Sequence, residues 1–404
     1  MVQFTMQTAM QLMPLFMLAF GGCVMIAWGA MSNRTTTAHH VFVGLVHVSV
    51  LGSIVILWGR DAEPLLGDML IVDKFALFFT AVCTVCSLAT VALSPSYTAR
   101  FGIGRSEYYG MLLFSLAGMF VLVSATNLMT VFLGIELMSM AIYILVGFRR
   151  RDLFSNEAAL KYFLLGAFAI AFFLYGMALV YGLTGSMNFN VIAAVAEQKG
   201  LLSNPPFLLA IAMLLIGFIF KVSAVPFHMW VPDVYQGAPS PVTAFMASAV
   251  KAASFAAMLR LFYIVFLPGQ EQWQPLLMIL AVATMTVGNL IALVQRNVKR
   301  MLAYSSIAHA GYILVGMAAV SADSTRGGTA VMYYLVAYAA MTVGAFALVG
   351  AMERRDGTRG LELDDYAGLG ARRPLLGLAM TVFMFSMAGI PPFSGFFAKP
   401  ASSI

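Results

Sequence analysis

The sequence predicts an all-α polytopic membrane protein, and three observations support this fold class. Of the 404 residues, 61% are hydrophobic and only 10% are charged, with a mean hydropathy of +0.90. The apolar residues gather in segments of about 20, the length that a helix needs to cross a bilayer. The alternation of apolar and polar residues that marks the strands of a membrane barrel does not occur in this sequence.

Twelve such segments follow one another, joined by short polar connections. They lie at about 12–31, 41–58, 75–93, 109–126, 127–148, 158–183, 207–225, 241–267, 275–294, 301–320, 329–352 and 374–398, the last of them interrupted. The longest polar connection, 353–373, has only about twenty residues. We therefore expect a bundle of about 12 transmembrane helices with no separate aqueous domain.

The basic residues are distributed unequally between the two sides of this predicted bundle. Loops that follow odd-numbered spans hold fourteen: Arg34, Arg100, Arg105, Arg149, Arg150, Arg151, Arg296, Lys299, Arg300, Arg354, Arg355, Arg359, Arg372 and Arg373. Loops that follow even-numbered spans hold four: Arg60, Lys74, Lys199 and Arg326. Because cytoplasmic loops carry the excess of Lys and Arg, this count predicts an N-terminus outside the cytoplasm. The net charge of +6 is explained by orientation and gives no indication of nucleic-acid binding.

Short segments recur in the same order along the chain. The sequence YILVG stands at 143–147 and again at 312–316. Related segments open spans 6 and 11, and others end spans 7 and 12, at nearly the same separation along the chain. The repeating unit is five spans, and because five is odd, the second copy must run through the membrane inverted. We predict an N-terminal three-helix segment at 1–108, a first five-helix repeat at 109–268, and a second, inverted repeat at 275–404 that lacks its last helix.

Prolines predict that spans 7 and 12 are broken helices. Pro226 in span 7, and Pro391 with Pro392 in span 12, lack a backbone donor and clash with the preceding turn. Non-helical backbone at membrane depth is tolerated only where protein or water satisfies it. Lys221 lies five residues before the first break, and Lys399 eight residues after the second. These breaks therefore predict polar sites near the membrane midplane.

Six charged side chains fall inside segments that otherwise look membrane-spanning: Glu136, Lys161, Lys221, Lys251, Arg260 and Lys399. A charge at the bilayer centre costs about 2.5–3.5 kcal/mol on insertion scales, so such residues face protein or a wet cavity. They usually mark an ion or proton path. His228 and His309 join them, because imidazole titrates near neutrality.

We predict proton transfer by seven of these groups: Glu136, Lys161, Lys221, His228, Lys251, His309 and Lys399. In this hypothesis a nearby glutamate controls the loading of a buried lysine, and water joins successive groups along the midplane. Each group has a structural alternative: an ion pair, a hydrogen-bonded core histidine, or a lysine that extends to the interface. The structural alternative is strongest for Lys161, which has Glu157 four residues before it, and for Arg260.

The sequence shows no redox centre and no metal site. We find neither a dinucleotide-binding fingerprint nor paired histidines at haem spacing. Cys83 and Cys86 form a C-x-x-C pair, but a four-ligand site needs a second pair, and the chain has only Cys23 besides. We therefore expect no cofactor in this chain, and any electron carriers in other subunits.

Three motifs carry a resemblance to a known family. The run FKVSAVPFHMWVPDVYQGAPSPVTAF at 220–245 closely resembles the antiporter-like membrane subunits of complex I, the proton-pumping NADH:quinone oxidoreductase. Within that family, LGIELMS at 133–139 and AYSSIAHAGY at 303–312 are similar to bacterial subunit N, equivalent to mitochondrial NADH dehydrogenase subunit 2. The resemblance covers about residues 10–399.

The resemblance implies fourteen helices, with inverted repeats in spans 4–8 and 9–13. It implies a glutamate in span 5 paired with a lysine in span 7, a central lysine in span 8 and a charged residue in span 12. In this sequence Glu136, Lys221, Lys251 and Lys399 occupy those four positions, in that order. His228 lies at the span 7 break. Protons would move as quinone is reduced elsewhere in the complex.

The same resemblance implies the surroundings of the chain. NAD, FMN, iron–sulfur clusters and quinone would belong to other subunits of complex I. The partners would be its other membrane subunits, especially the antiporter-like ones, and lipid. The chain would lie in the bacterial inner membrane with its N-terminus on the periplasmic side. Because the family continues past Lys399 into further helices, we expect this chain to be truncated at its C-terminus.

Two alternatives stay open. One is a subunit of a multisubunit cation/proton antiporter or of a membrane-bound hydrogenase, which genomic neighbours would distinguish. The other is a structural membrane subunit that transports nothing itself.

Overall fold

A computed structural model describes residues 5–32, 35–321, 326–354 and 360–401 of the chain, with the backbone alone at 398–401. Apart from one short hairpin, the regular structure in these ranges is helical. The elements are α1 (Met6–Gln11), α2 (Met13–Met31), α3 (Thr37–Trp58), β1 (Pro64–Leu65), β2 (Leu70–Ile71), α4 (Lys74–Phe101), α5 (Ser106–Ser124), α6 (Leu128–Val146), α7 (Leu153–Thr184), α8 (Phe189–Gln198), α9 (Pro205–Val222), α10 (Trp230–Gly237), α11 (Ser240–Phe245), α12 (Lys251–Leu261), α13 (Gln270–Leu293), α14 (Val298–Ala318), α15 (Arg326–Met352), α16 (Leu369–Arg372), α17 (Pro374–Ala388) and α18 (Ser394–Ala401).

Ten helical runs in the described part of the chain are long and apolar enough to cross a membrane, so the all-helical membrane class is confirmed. The count differs from the twelve predicted spans for two reasons. Predicted spans 8 and 9 lie in one uninterrupted run, Ser240–Leu293, because the connection between them is a 3-10 turn, Leu267–Gly269, and not an open loop. The last predicted span is represented by α17, which has only 15 residues before it ends.

The run that contains α11 and α12 is the innermost helix of the molecule. Every residue from 240 to 262 is buried. A π-helical turn, Met246–Val250, joins α11 to α12 and directly precedes Lys251. Such turns occur frequently at functional sites, because they change the direction in which the following side chains point. Lys251 therefore lies on the most enclosed helix of the fold.

Two helical hairpins pack closely because glycines leave room for backbone contact. A Cβ atom at Gly118 of α5 would lie 2.4 Å from the backbone nitrogen of Met138 in α6. A Cβ atom at Gly288 of α13 would lie 2.6 Å from the backbone nitrogen of Ala308 in α14. Small residues at helix contacts in membranes permit this approach. The hairpins α5–α6 and α13–α14 thus hold their helices in the same way.

The starts of α6 and α14 share one backbone arrangement. The amide of Leu128 donates to the carbonyl of Met187 at 2.9 Å, and the amide of Val298 donates to the carbonyl of Leu361 at 2.8 Å. Asn127 and Asn297 precede these residues and cap the two helices through their side-chain oxygens. Positions 128 and 298 are separated by nearly the same length of chain as the two YILVG segments.

The ends of α9 and α17 share a second arrangement, at the two breaks predicted from prolines. Each helix ends at a residue in the left-handed region, Ser223 (φ 70°) and Gly389 (φ 81°). The next amide then bonds back to a carbonyl five residues earlier, at 2.9 Å for Ala224 and 3.0 Å for Ile390. Both breaks also contain a cis X-Pro bond, Val225-Pro226 and Pro391-Pro392. The chain thus repeats local structure at both places, while the predicted inversion and domain boundaries remain predictions.

Candidate functional site

Lys221 lies in the last turn of α9 and is 4% exposed. Its Nζ donates to Ser139 Oγ at 2.7 Å and lies 3.5 Å from the hydroxyl of Tyr143, one turn further along α6. The amine also lies 5.6 Å from the ring centres of Tyr143 and Tyr162, a cation–π distance. Ser139 Oγ–H itself donates to the carbonyl of Ile135. The amine is therefore held by hydroxyl groups and aromatic faces.

The break after α9 opens the helix beside Lys221. The carbonyl of Phe220 accepts a hydrogen bond from the Trp230 indole at 3.2 Å. The amide of Val225 donates to Thr284 Oγ1 at 3.1 Å. Side chains thus satisfy backbone groups that the interrupted helix leaves free, as the membrane interior requires.

Lys251, 1% exposed, occupies a second buried site. Its Nζ donates to the carbonyl of Ser306 at 2.7 Å and to Ser306 Oγ at 2.5 Å. The ring of Tyr338 on α15 lies 5.4 Å from the amine. The side chain of Tyr235 on α10 lies near the Ser306 hydroxyl.

His309 extends this second site. It follows Ser306 by one turn of α14, and its Nδ1 lies 2.7 Å from the hydroxyl of Tyr334. Its ring also lies 5.1 Å from that of Tyr338. The structure thus brings Lys251, Ser306, His309, Tyr334 and Tyr338 into one cluster, which we call the Lys251 cluster.

Glu136 stands apart from both amines. In the part of the chain that the structure describes, neither Lys221 nor Lys251 has a carboxylate oxygen within 4.0 Å. The charge of Glu136 acts on Lys221 over a longer distance. Glu136 is partly exposed, on the stripe of α6 that also presents Leu133 and Met140 outward, 51% and 56% exposed.

The remaining predicted residues lie elsewhere. His228 is half-buried in the break between α9 and α10. The side chain of Lys161 is 41% exposed and forms ion pairs with Glu157 and Asp233, both at 2.7 Å. Lys399 falls in α18, but its side chain lies outside the described residues.

Two other cations, Arg260 and Arg300, are paired with carboxylates near helix ends. Arg260 binds both oxygens of Asp73, at 2.7 and 3.0 Å. Arg300 lies 2.6 Å from Asp233, the carboxylate that also binds Lys161. Burial alone would raise the pKa of Asp233, but hydrogen bonds from Lys161 and Arg300 hold it below its ordinary value.

Sequence reasoning missed the groups that bind the two amines. Ser139 and Tyr143 follow Glu136 at helical spacing on α6, and Ser306 stands in the AYSSIAHAGY motif. Hydroxyl groups are common in apolar helices, where they often bond their own backbone, so their presence alone does not mark a site. Tyr338 gave no sequence signal that separates it from other core tyrosines.

Comparisons with known proteins identify the family of this chain. The family described as NADH:quinone oxidoreductase/Mrp antiporter, transmembrane, matches residues 125–402. NADH-quinone oxidoreductase subunit N of Trichlorobacter lovleyi is 50% identical over 342 residues, which cover 85% of this chain and 69% of the relative.

Two solved structures share the fold. A chain of respiratory complex I from Thermus thermophilus superimposes with a TM-score of 0.79 at 36% identity, covering 96% of this chain and 81% of the other. A chain of the Mrp complex from a Dietzia species gives a TM-score of 0.84 at 24% identity, covering 99% of this chain and 74% of the other, and shows likeness of fold alone. By the family match and the identity to its relatives, the chain belongs to the NADH-quinone oxidoreductase subunit N family, within the larger NADH:quinone oxidoreductase/Mrp antiporter group.

Proposed function

We propose that this chain works as subunit N of a bacterial NADH:quinone oxidoreductase and carries protons across the membrane while other subunits reduce quinone. One observation carries the proposal: two lysines, 4% and 1% exposed, are each held by hydroxyl groups with no carboxylate in ion-pair contact within the described residues. NAD, FMN, iron–sulfur clusters and quinone belong to the other subunits in this proposal.

The hydroxyl partners suit an amine that changes its protonation state. A serine oxygen accepts a hydrogen bond from an ammonium group, and after rotation its O–H donates to a neutral amine. Ser139 at Lys221 and Ser306 at Lys251 both offer this choice. Each lysine can thus bind and release a proton without losing its partner.

In this proposal the Lys251 cluster continues the path of protons from Lys221. His309 and Tyr334 continue it through their 2.7 Å contact. The hydroxyls of Tyr338 and Thr342 are buried and form no hydrogen bond of ordinary geometry with protein among the described residues. Buried polar groups of this kind are the usual partners of internal water. We infer that water joins the cluster to Lys221, with His228 at the break and Lys399 further along the chain.

Glu136 acts, in this proposal, as the charge that controls Lys221. It also indicates where a partner binds. A carboxylate on an apolar, outward stripe is costly against lipid, so protein covers it in the assembled complex. The stripe around Leu133, Glu136 and Met140 is therefore our candidate contact with another membrane subunit. Lys161, paired with two carboxylates, has the geometry of an anchoring residue and a weaker claim to a role in transfer.

The finer architecture belongs to this proposal. We propose twelve crossings, with two inverted repeats at 109–268 and 275–404 after the segment 1–108. The shared backbone arrangements at α6 and α14, and at α9 and α17, support the repeat. The excess of basic residues in one set of loops supports an N-terminus on the periplasmic side of the inner membrane.

A related transporter subunit is the second candidate, favoured by the fold likeness to the Mrp complex chain. Affinity purification of the tagged chain from its native membrane separates the two candidates. We expect it to be recovered with NADH:quinone reductase activity; recovery with a cation/proton antiporter lacking that activity would favour the second candidate.

The proton-carrying role is tested by Lys221→Ala in the assembled complex. We expect NADH-driven proton pumping to fall on the order of 10²-fold, the contribution of a positioned proton carrier. Lys199→Ala, at an exposed lysine, is the matched control. A fully assembled Lys221→Ala complex that pumps normally would point to a structural subunit without transport.

A further inference from the structure

A second group of buried charges lies at the end of the molecule where α6, α10 and α15 end. Glu353, Arg149 and Lys299 are 1%, 7% and 0% exposed. The carboxylate of Glu353 lies 2.9 Å from Arg149 and 3.9 Å from Lys299, and it accepts a hydrogen bond from Ser240. Arg149 also pairs with Asp152 at 2.9 Å. We call these five residues the Glu353 cluster.

Both cations of this cluster bind the C-terminal end of α10. Arg149 donates to the carbonyl of Gly237 at 3.3 Å, and Lys299 donates to the carbonyl of Ala238 at 2.6 Å. Cations suit this position, because the last carbonyls of a helix are unpaired and carry partial negative charge. Glu353 lies between the two cations and so fixes where they stand.

Helix α10, which Arg149 and Lys299 bind, contacts the surroundings of both Lys221 and Lys251. Trp230, its first residue, stacks on Tyr162 at 4.4 Å, and the Tyr162 ring lies 5.6 Å from the Lys221 amine. Tyr235, near the other end of α10, lies close to Ser306, and Ser306 binds the Lys251 amine. A displacement of α10 therefore changes the surroundings of both amines together.

The fit of α10 against its neighbours leaves little freedom. A Cβ atom at Gly237 would lie 2.4 Å from the carbonyl oxygen of Phe154 in α7. At the middle of the helix, Asp233 is bound by Lys161 from α7 and Arg300 from α14. The Glu353 cluster adds a further attachment at the end of α10, through Arg149 after α6 and Lys299 of α14.

We propose that Glu353 is a positioning residue for proton transfer: it holds Arg149 and Lys299 against the end of α10, and so sets the helix that contacts both lysine sites. The inference rests on the proposed function. It assigns a role in transport to a carboxylate that touches neither lysine of the path.

The test compares variants of Glu353 in the whole complex, reading assembly on native gels and protons moved per NADH oxidised in vesicles. Glu353→Gln leaves two cations facing one carboxylate, Asp152, so it can impair assembly. Glu353→Gln combined with Lys299→Gln restores the balance of charge among the described members of the cluster. Asp364→Asn, at an exposed carboxylate in the connection that follows α15, is the matched control.

We expect the double variant to assemble as the wild type does, yet to move at most about one third of the protons per NADH, because α10 has lost the Lys299 contact. We also expect Glu353→Asp to recover part of the ratio that Glu353→Gln loses. An assembled double variant with the wild-type ratio would overturn the inference, because the cluster would then only balance charge.

If the double variant does not assemble, Ser240→Ala decides. It removes one hydrogen bond to Glu353 and leaves every charge in place. A ratio lowered about twofold supports the inference, and an unchanged ratio overturns it. Lys221→Ala is measured alongside. If that variant keeps the wild-type number of protons per NADH, the proposed function fails. If Lys221→Ala lowers that number while the variants of Glu353 and Ser240 keep it, this inference alone is refuted.

Discussion

Two sets of buried cations in this molecule are almost equally buried, but they are bound by different chemical groups. Lys221 and Lys251, inside the bundle, are bound by hydroxyls, a carbonyl and aromatic rings. Arg149 and Arg260, near the helix ends, are bound by carboxylates at 2.7–3.0 Å. All four residues are nonetheless buried.

The difference separates two uses of a buried charge. An arginine bound by a carboxylate stays charged, and removing one partner leaves an uncompensated buried ion. A lysine held by hydroxyl groups keeps a hydrogen-bond partner in either protonation state. The paired cations therefore hold helices together. We propose that the two lysines, which have no carboxylate partner within the described residues, exchange protons.

The largest effect is expected at Lys251. Lys251→Met keeps the length of the side chain and removes the titratable amine. NADH-driven proton uptake into vesicles should fall on the order of 10²-fold, the contribution of a positioned proton carrier. Lys74→Met, at an exposed lysine, is the matched control. If the assembled Lys251→Met complex still pumps at the wild-type rate, the buried lysines do not differ in function from the carboxylate-bound arginines.

A smaller effect is expected when only the hydroxyl partner is lost. Ser139→Ala removes the 2.7 Å acceptor of Lys221 and leaves the Tyr143 hydroxyl at 3.5 Å. A hydrogen bond to a charged group contributes about 1.5–3 kcal/mol, so we expect initial pumping rates to drop by about tenfold or more. Ser53→Ala, which removes a buried hydroxyl that donates to the carbonyl of Val50 in its own helix, should leave the rate unchanged.

Substituting a carboxylate-bound arginine should lower the stability of the complex and leave proton transport unchanged. Arg260→Gln breaks the contact with Asp73, whose side chain is 32% exposed. Because solvent screens the exposed side of the pair, we expect a loss of about 1–2 kcal/mol, measured as a lower midpoint of thermal dissociation of the complex. Protons moved per NADH should stay at the wild-type value. A lower ratio at normal assembly would place Arg260 in the path.

The last prediction concerns how the stability contribution of Glu353 depends on pH, and no change is expected near neutrality. Burial alone would raise the pKa of this carboxyl, but Lys299, Arg149, Ser240 and Tyr97 lower it below its ordinary value of 4.5. Its contribution to stability is therefore complete above pH 4.5 and is lost only as the pH falls through the lower, folded-state pKa. The difference in thermal midpoint between wild type and Glu353→Gln should stay constant near neutrality and shrink below pH 4.5. A difference that grows on acidification would contradict this assignment.

The sequence predicted the class of fold and the burial of Lys221 and Lys251 for a physical reason. A charge inside an apolar segment is costly unless protein surrounds it, and Lys221 and Lys251 are indeed buried. Pro226 predicted the break in span 7, and α9 ends four residues before it, at Val222.

What the sequence could not predict depends on contacts between distant segments. Ser306 binds Lys251 across 55 residues because α14 packs beside α10 and near α12. Glu353 opens a polar connection in the sequence, yet folding buries it against Arg149, 204 residues away. The join between predicted spans 8 and 9 was also missed, because hydropathy does not distinguish a loop from a 3-10 turn.

The proton-carrying role of the two lysines is tested by neutralising both sets of buried cations in one experiment. Protons moved per NADH oxidised are measured in vesicles containing the complex with Lys221→Met and Lys251→Met together, and with Arg260→Gln and Asp73→Asn together. We expect the lysine variant to move far fewer protons per NADH and the ion-pair variant to keep the wild-type ratio. Equal ratios in two fully assembled complexes would contradict the proton-carrying role of Lys221 and Lys251.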